Sequence, residues 1–63
     1  MKKGTVKFFN SERGFGFITV EGSGEEIFVH KTEVQGTIQE NDQVEFEVQK
    51  GNRGLNAVSV RVI

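Results

Sequence analysis

The chain has 63 residues, a net charge of −1, one histidine and no cysteine. A sequence of this length predicts one small domain over residues 1–63, with little room for an internal site. The lack of cysteine excludes disulfides and thiolate metal sites and fits a reducing compartment. The sequence contains no apolar run long enough to predict a membrane span. We therefore expect a cytoplasmic protein that binds no cofactor and no metal.

The first predicted strand covers residues 4–10. Val6 is expected to face the core, and Lys7 and Phe9 are expected to face outward. Strict alternation turns Phe8 inward with Val6.

The second predicted strand, residues 13–20, carries apolar side chains on both faces. Phe15 and Phe17 share one face, and Ile18 and Val20 share the other. A small antiparallel protein normally uses one face of a strand for its core and leaves the other face polar. We therefore expect the aliphatic side chains inside and the rings outside. The preceding turn begins at Asn10, for which we favour a capping role.

The third predicted strand, Ile27-Phe28-Val29-His30, repeats this pattern, with the aliphatic residues inside and the other two outside. Side by side, the second and third strands would present one aromatic surface made of Phe15, Phe17, Phe28 and His30. Proteins stack the bases of single-stranded nucleic acid on surfaces of this kind. In the alternative arrangement the rings form the core and the aliphatic residues cover a second layer.

The remainder of the chain predicts two more strands. Residues 31–35 are long enough for one helical turn, with Val34 against the barrel. The fourth strand, residues 43–50, is expected to face inward with Val44, Phe46 and Val48. The fifth, from Leu55, is expected to face inward with Val58, Val60 and Val62 and outward with Ala57, Ser59 and Arg61. Five short strands around one aliphatic core predict an all-β fold, a five-stranded antiparallel OB-fold barrel.

Three segments of the sequence carry a family resemblance. They are Lys7 to Ile18, Ile27 to His30, and the turn Gly51-Asn52-Arg53-Gly54. They resemble the bacterial cold-shock protein family, and the resemblance covers essentially the whole chain. It implies an OB-type barrel that binds single-stranded RNA and DNA and acts as an RNA chaperone.

The chain departs from the family pattern at its periphery. Phe8 stands where tryptophan is usual on the binding surface, so the resemblance implies an outward ring, which a local bulge would reconcile with strict alternation. Lys31 stands where an aromatic residue is common. The loop after Gly36, between the third and fourth strands, is shortened, and Leu55 replaces a frequent proline. The central rings are unaffected, so we expect fewer stacked bases rather than a lost site.

We expect the rings and the cations beside them to bind nucleic acid. These residues are Lys7, Phe8, Phe9, Arg13, Phe15, Phe17, Phe28, His30, Lys31 and Arg53. An isoelectric point of about 5.7 would normally argue against such a ligand. However, residues 1–20 and 50–63 each carry a net charge of +3, and the charge of −7 lies in residues 21–49. The expected partner is a single strand of RNA or DNA, pyrimidine-rich, bound by a monomer.

Other functions find less support in the sequence. One histidine, no cysteine, no Walker-type phosphate loop and no paired carboxylates with a pocket argue against an enzyme and a small-molecule substrate. The main alternative is a protein-interaction module that docks through the same aromatic face, since exposed apolar patches also mark such interfaces. An oligosaccharide-binding module is a weaker possibility. Salt dependence separates the first alternative from nucleic-acid binding.

Overall fold

A computed structural model describes residues 1–51 and 54–63, and within these ranges the chain forms a closed barrel of five strands. The strands are β1 (Lys2–Asn10), β2 (Phe15–Val20), β3 (Glu26–His30), β4 (Gln43–Gly51) and β5 (Gly54–Val62). A 3₁₀ turn, Lys31–Glu33, follows β3 at the predicted helical turn. The predicted all-β barrel of the OB type is confirmed.

The order of strands around the barrel is β1-β2-β3-β5-β4. Four of the pairings between these described strands are antiparallel, but β3 and β5 run parallel. The prediction of a wholly antiparallel barrel therefore needs one correction. Five strands in a closed ring cannot alternate in direction all the way round, so one pair must run in the same direction.

The core lies inside the barrel and is entirely aliphatic apart from Phe46. Its buried residues are Val6, Ile18, Val20, Ile27, Val29, Ile38, Val44, Phe46, Ala57 and Val60. Phe9, Val34 and Val48 are partly buried against it. The predicted inner faces of β2, β3 and β4 are confirmed, which leaves the outer faces of β2 and β3 to the rings.

A bulge in β1 determines where its two phenylalanines point. The β1–β2 register shifts between Val6 and Phe8, so Lys7 is an extra residue on β1. Lys7 and Phe8 are both exposed, whereas Phe9 packs against the core. The alternative with an outward Phe8 is therefore correct. The predicted outward position of Phe9 is wrong, because the bulge exchanges the two faces of the strand.

A second bulge changes the faces of β5. The β4–β5 register shifts at Ser59, whose φ of 54° lies in a region that side chains rarely adopt. Ala57 is consequently buried although it was predicted to face outward, and Val58 is only partly buried although it was predicted to face inward. Val60 is buried as predicted, but Val62 is 47% exposed at the last position of the strand.

Candidate nucleic-acid interface

Four phenylalanine rings pack together on the outer face of β1, β2 and β3, and we call them the ring cluster: Phe8, Phe15, Phe17 and Phe28. Their centroids are separated by 5.5 Å for Phe8 and Phe17, 6.3 Å for Phe8 and Phe15, and 5.9 Å for Phe28 with both Phe15 and Phe17. Aromatic pairs attract one another at these distances. The sheet therefore brings together the three rings that the sequence placed on one surface, and the bulge adds the fourth.

Strand register accounts for the cluster. Phe17 lies opposite Phe8 in one pairing and opposite Phe28 in the other, so these rings form a row across the sheet. Gly16 allows β1 to approach closely. A Cβ atom at this position would collide with the carbonyl oxygen of Phe8 and would lie 2.8 Å from the Cα of Phe9. The close packing of the β1 and β2 backbones therefore requires a glycine at position 16.

His30 lies at the edge of the ring cluster, opposite Phe15 in the β2–β3 pairing, and is exposed. Its Nδ1 accepts a hydrogen bond from the backbone N–H of Thr32 at 3.3 Å and lies 3.0 Å from the Thr32 hydroxyl oxygen. A neutral ring that accepts at Nδ1 carries its proton on Nε2. His30 can therefore offer both a flat face and an N–H donor to a base.

Three of the predicted cations lie among the described residues, and all three are exposed: Lys7, Arg13 and Lys31. The Nζ of Lys7 lies 2.7 Å from a carboxylate oxygen of Glu26, and both side chains are about half exposed. Such a pair is weak because water and salt screen it. Arg13 lies on the turn before β2, where its backbone N–H donates to Oδ1 of Asn10 at 3.0 Å. The capping role expected for Asn10 is confirmed.

Lys31 lies beside the ring cluster and is not part of it. Its backbone N–H donates a hydrogen bond to the carbonyl oxygen of Gly14 at 2.8 Å. Its methylene stem passes over the same glycine, since a Cβ atom on Gly14 would lie 2.8 Å from Cδ of Lys31. Gly14 also has a φ of 78°, which favours glycine. Arg53, the remaining predicted cation, is outside the described residues.

Two amide side chains extend the row of rings, and the sequence analysis missed both. Asn56 on β5 lies opposite Phe28, and Gln49 on β4 lies opposite Asn56. The residues before Asn56 alternate too little to indicate its face, and the parallel β3–β5 pairing has no local signature. Only the closure of the barrel makes these residues neighbours of the rings.

The described residues contain no cluster of three or more histidine, cysteine, aspartate and glutamate side chains that could hold a metal ion. In the same part of the chain, no helix is long and apolar enough to cross a membrane. The rings, His30 and the lysines of this face offer aromatic stacking, a few hydrogen bonds and cationic charge.

Comparisons with known proteins agree with this geometry. A family model described as "'Cold-shock' DNA-binding domain" matches residues 2–63. The chain is 51% identical to the probable cold shock protein A of Mycolicibacterium smegmatis, over 100% of both chains. It is 50% identical to the major cold shock protein of Micrococcus luteus, over 95% of this chain and 96% of the relative. The first alignment spans 67 positions, four more than this chain has residues.

A solved structure also matches the fold. The chain described as drosophila Unr CSD456 is 31% identical, with a TM-score of 0.81. The match covers 98% of this chain and 26% of that one, so this chain spans about a quarter of its length. Full-length relatives at about half identity and a family model over nearly the whole chain lead to one conclusion. The chain belongs to the cold-shock DNA-binding domain family, a family of nucleic-acid-binding domains.

Proposed function

We propose that this protein binds single-stranded RNA and DNA by stacking bases on the ring cluster, and that it acts as an RNA chaperone. The observation that carries the proposal is a set of rings packed against one another on an outer face. Phe8 is 37% exposed, and the other three rings are partly buried. Because the rings already hold one another in place, a bound strand does not have to order them.

Stacking accounts for both the affinity and the preference for unpaired strands. Each base stacked on a ring contributes ~1–3 kcal/mol, and every base has a face to stack. A base in a duplex hides its faces and must leave its partner to reach the ring cluster. A protein that binds only the open form shifts a hairpin toward that form. RNA chaperone activity follows from this shift.

Cations and hydrogen bonds complete the proposed site. Lys7, Arg13 and Lys31 can contact phosphates around the rings, and Nε2 of His30 can donate to a base. The proposed ligand is a pyrimidine-rich strand. We further propose that the protein works as a monomer in the cytoplasm, where the lack of cysteine would suit the reducing conditions.

The test is a titration of a labelled pyrimidine-rich strand, single and as a duplex. The label must be on the nucleic acid, since the chain has no tryptophan or tyrosine. We expect the single strand to bind far more tightly than the duplex, and Phe17→Ala to weaken its binding. Val62→Ala is the control, because Val62 is an exposed apolar residue that is not part of the ring cluster. Equal affinity for duplex and single strand would contradict the proposal.

A further inference from the structure

A pocket of about 170 Å³ lies beside the ring cluster, between the end of β1 and residues 31–38. The apolar side chains that line it are Phe9, Val34 and Ile38. Its remaining lining comes from Ser11, Lys31, Gly36 and Thr37. The pocket is thus bounded by the residue that the β1 bulge turned away from the rings and by the segment that contains the shortened loop.

The walls of the pocket are fixed by the barrel. Ile38 is only 3% exposed and belongs to the core. Val34 forms a parallel bridge with Val60, and its N–H donates to the carbonyl oxygen of Lys31 at 3.1 Å. Phe9 is held within the β1–β2 ladder and packs against the core. A ligand that enters therefore does not have to form the pocket first.

Size and lining indicate what the pocket can hold. A protein cavity of about 150 Å³ accepts one benzene molecule, so this pocket has room for one six-membered ring. The ring of Phe9 offers an aromatic surface, the hydroxyls of Ser11 and Thr37 offer hydrogen bonds, and Lys31 offers a positive charge. Of the described residues that line it, none carries a carboxylate.

Two other depressions on the barrel contain a carboxylate beside their cations. One is lined by Glu21 together with Lys2 and Lys3, and the other by Glu25 together with Lys2. Lys31 lines the pocket at Phe9 and also lies at the edge of the ring cluster. It directly follows His30, and its methylene stem passes over Gly14, the residue before Phe15. A strand that leaves the rings past His30 would meet Lys31 and this pocket next.

We propose that the pocket accepts one pyrimidine base of the bound strand, turned out of the stack at the His30 end of the ring cluster. The inference depends on the proposed function, since it needs a bound single strand. The pocket would give the next base a binding position at the end of β3, where Lys31 stands in place of the aromatic residue that is common in the family. The base would enter the pocket while its phosphate stays outside, within reach of the lysine.

Methyl NMR of the wild-type protein tests occupancy directly. We expect the methyl signals of Val34 and Ile38 to shift on saturation with a short oligothymidine, while those of Val62 remain in place. If the strand binds in a manner that Phe17→Ala weakens, but the signals of Val34 and Ile38 do not move, the pocket is empty. That result overturns the inference and leaves the proposed function intact. Failure of the strand to bind overturns both.

A filled pocket provides the second test. Val34→Met puts a longer, flexible side chain into the space, and circular dichroism checks that the variant is folded. A series of oligothymidines, each with one abasic position, is titrated into both proteins. We expect one position at which base removal weakens binding to the wild type about five- to tenfold, which corresponds to the lower end of the energy range of a single stack. Base removal at that position should leave the affinity of Val34→Met unchanged. Parallel abasic profiles for the two proteins would overturn the inference.

Discussion

Replacement of Phe17 by alanine separates the two faces of β2, because Ile18 is adjacent in sequence and lies on the opposite face. The ring centroid of Phe17 lies 5.5 Å from that of Phe8 and 5.9 Å from that of Phe28. Each aromatic pair contributes ~0.5–1.5 kcal/mol, so the loss of two pairs should lower the free energy of unfolding by ~1–3 kcal/mol. The loss of one stacking surface should weaken single-strand binding by ~1–3 kcal/mol, or about 5- to 150-fold.

Ile18 should behave in the opposite way. Its side chain is fully buried, so Ile18→Ala should lower the free energy of unfolding by ~2–5 kcal/mol without altering the affinity of the folded protein. A domain of this length is stable by roughly 3–9 kcal/mol, and this variant could therefore be largely unfolded. Ile18→Val removes one methyl group, costs ~0.5–1.5 kcal/mol and keeps the comparison usable.

Two measurements are needed for each variant: urea unfolding followed by circular dichroism, and fluorescence anisotropy of a labelled single strand. Phe17→Ala should lose more affinity than Ile18→Val, whatever their order in stability. Unchanged affinity of Phe17→Ala, together with weaker binding by a fully folded Ile18→Val, would show that the faces have been assigned the wrong way round.

Three further predictions use other parts of the barrel. With one phosphate for each of Lys7, Arg13 and Lys31, log affinity should fall with log salt at a slope of about −2, at ~0.7 per contact; a flat response in the same titration would favour protein docking. Lys31→Phe should raise affinity for a pyrimidine-rich strand by ~1 kcal/mol at moderate salt and make the slope shallower, because a stacked ring replaces a screened charge; weaker binding at every salt concentration would show that the charge at position 31 contributes more to binding than a ring does. Gly16→Ala should lower the free energy of unfolding by ~1–3 kcal/mol in a urea titration, because the added Cβ atom meets the backbone of Phe8 and Phe9; an unchanged free energy would show that β1 can move away.

The sequence predicts the faces of β2 and β3 well because their side chains alternate cleanly. Aliphatic residues such as Ile18 and Val29 can satisfy only one core, so Phe17 and Phe28 must lie on the other side. The strand pairing then follows from adjacency, since short hairpins join neighbouring strands. Thus the centre of the candidate site can be read from the spacing of a few residues.

The faces of β5 could not be predicted in this way. Val58, Val60 and Val62 have the spacing of an inner face, yet the bulge at Ser59 breaks the alternation and buries Ala57 instead. Barrel closure requires strands to coil, and bulges provide that coiling at positions set by the strands on either side. Their location depends on the whole sheet and is not encoded in any one strand.

The same kind of irregularity in β1 decides what the candidate site contains. With strict alternation, Phe8 would join Val6 in the core, and the ring cluster would lose its 5.5 Å contact with Phe17. Phe9 would then face outward and could not line the pocket with Val34. Because Lys7 is accommodated as an extra residue, one ring joins the cluster and the next ring forms a wall of the pocket. Both the stacking surface and the proposed pyrimidine pocket therefore depend on one bulge, so a change that straightens β1 should alter the two together.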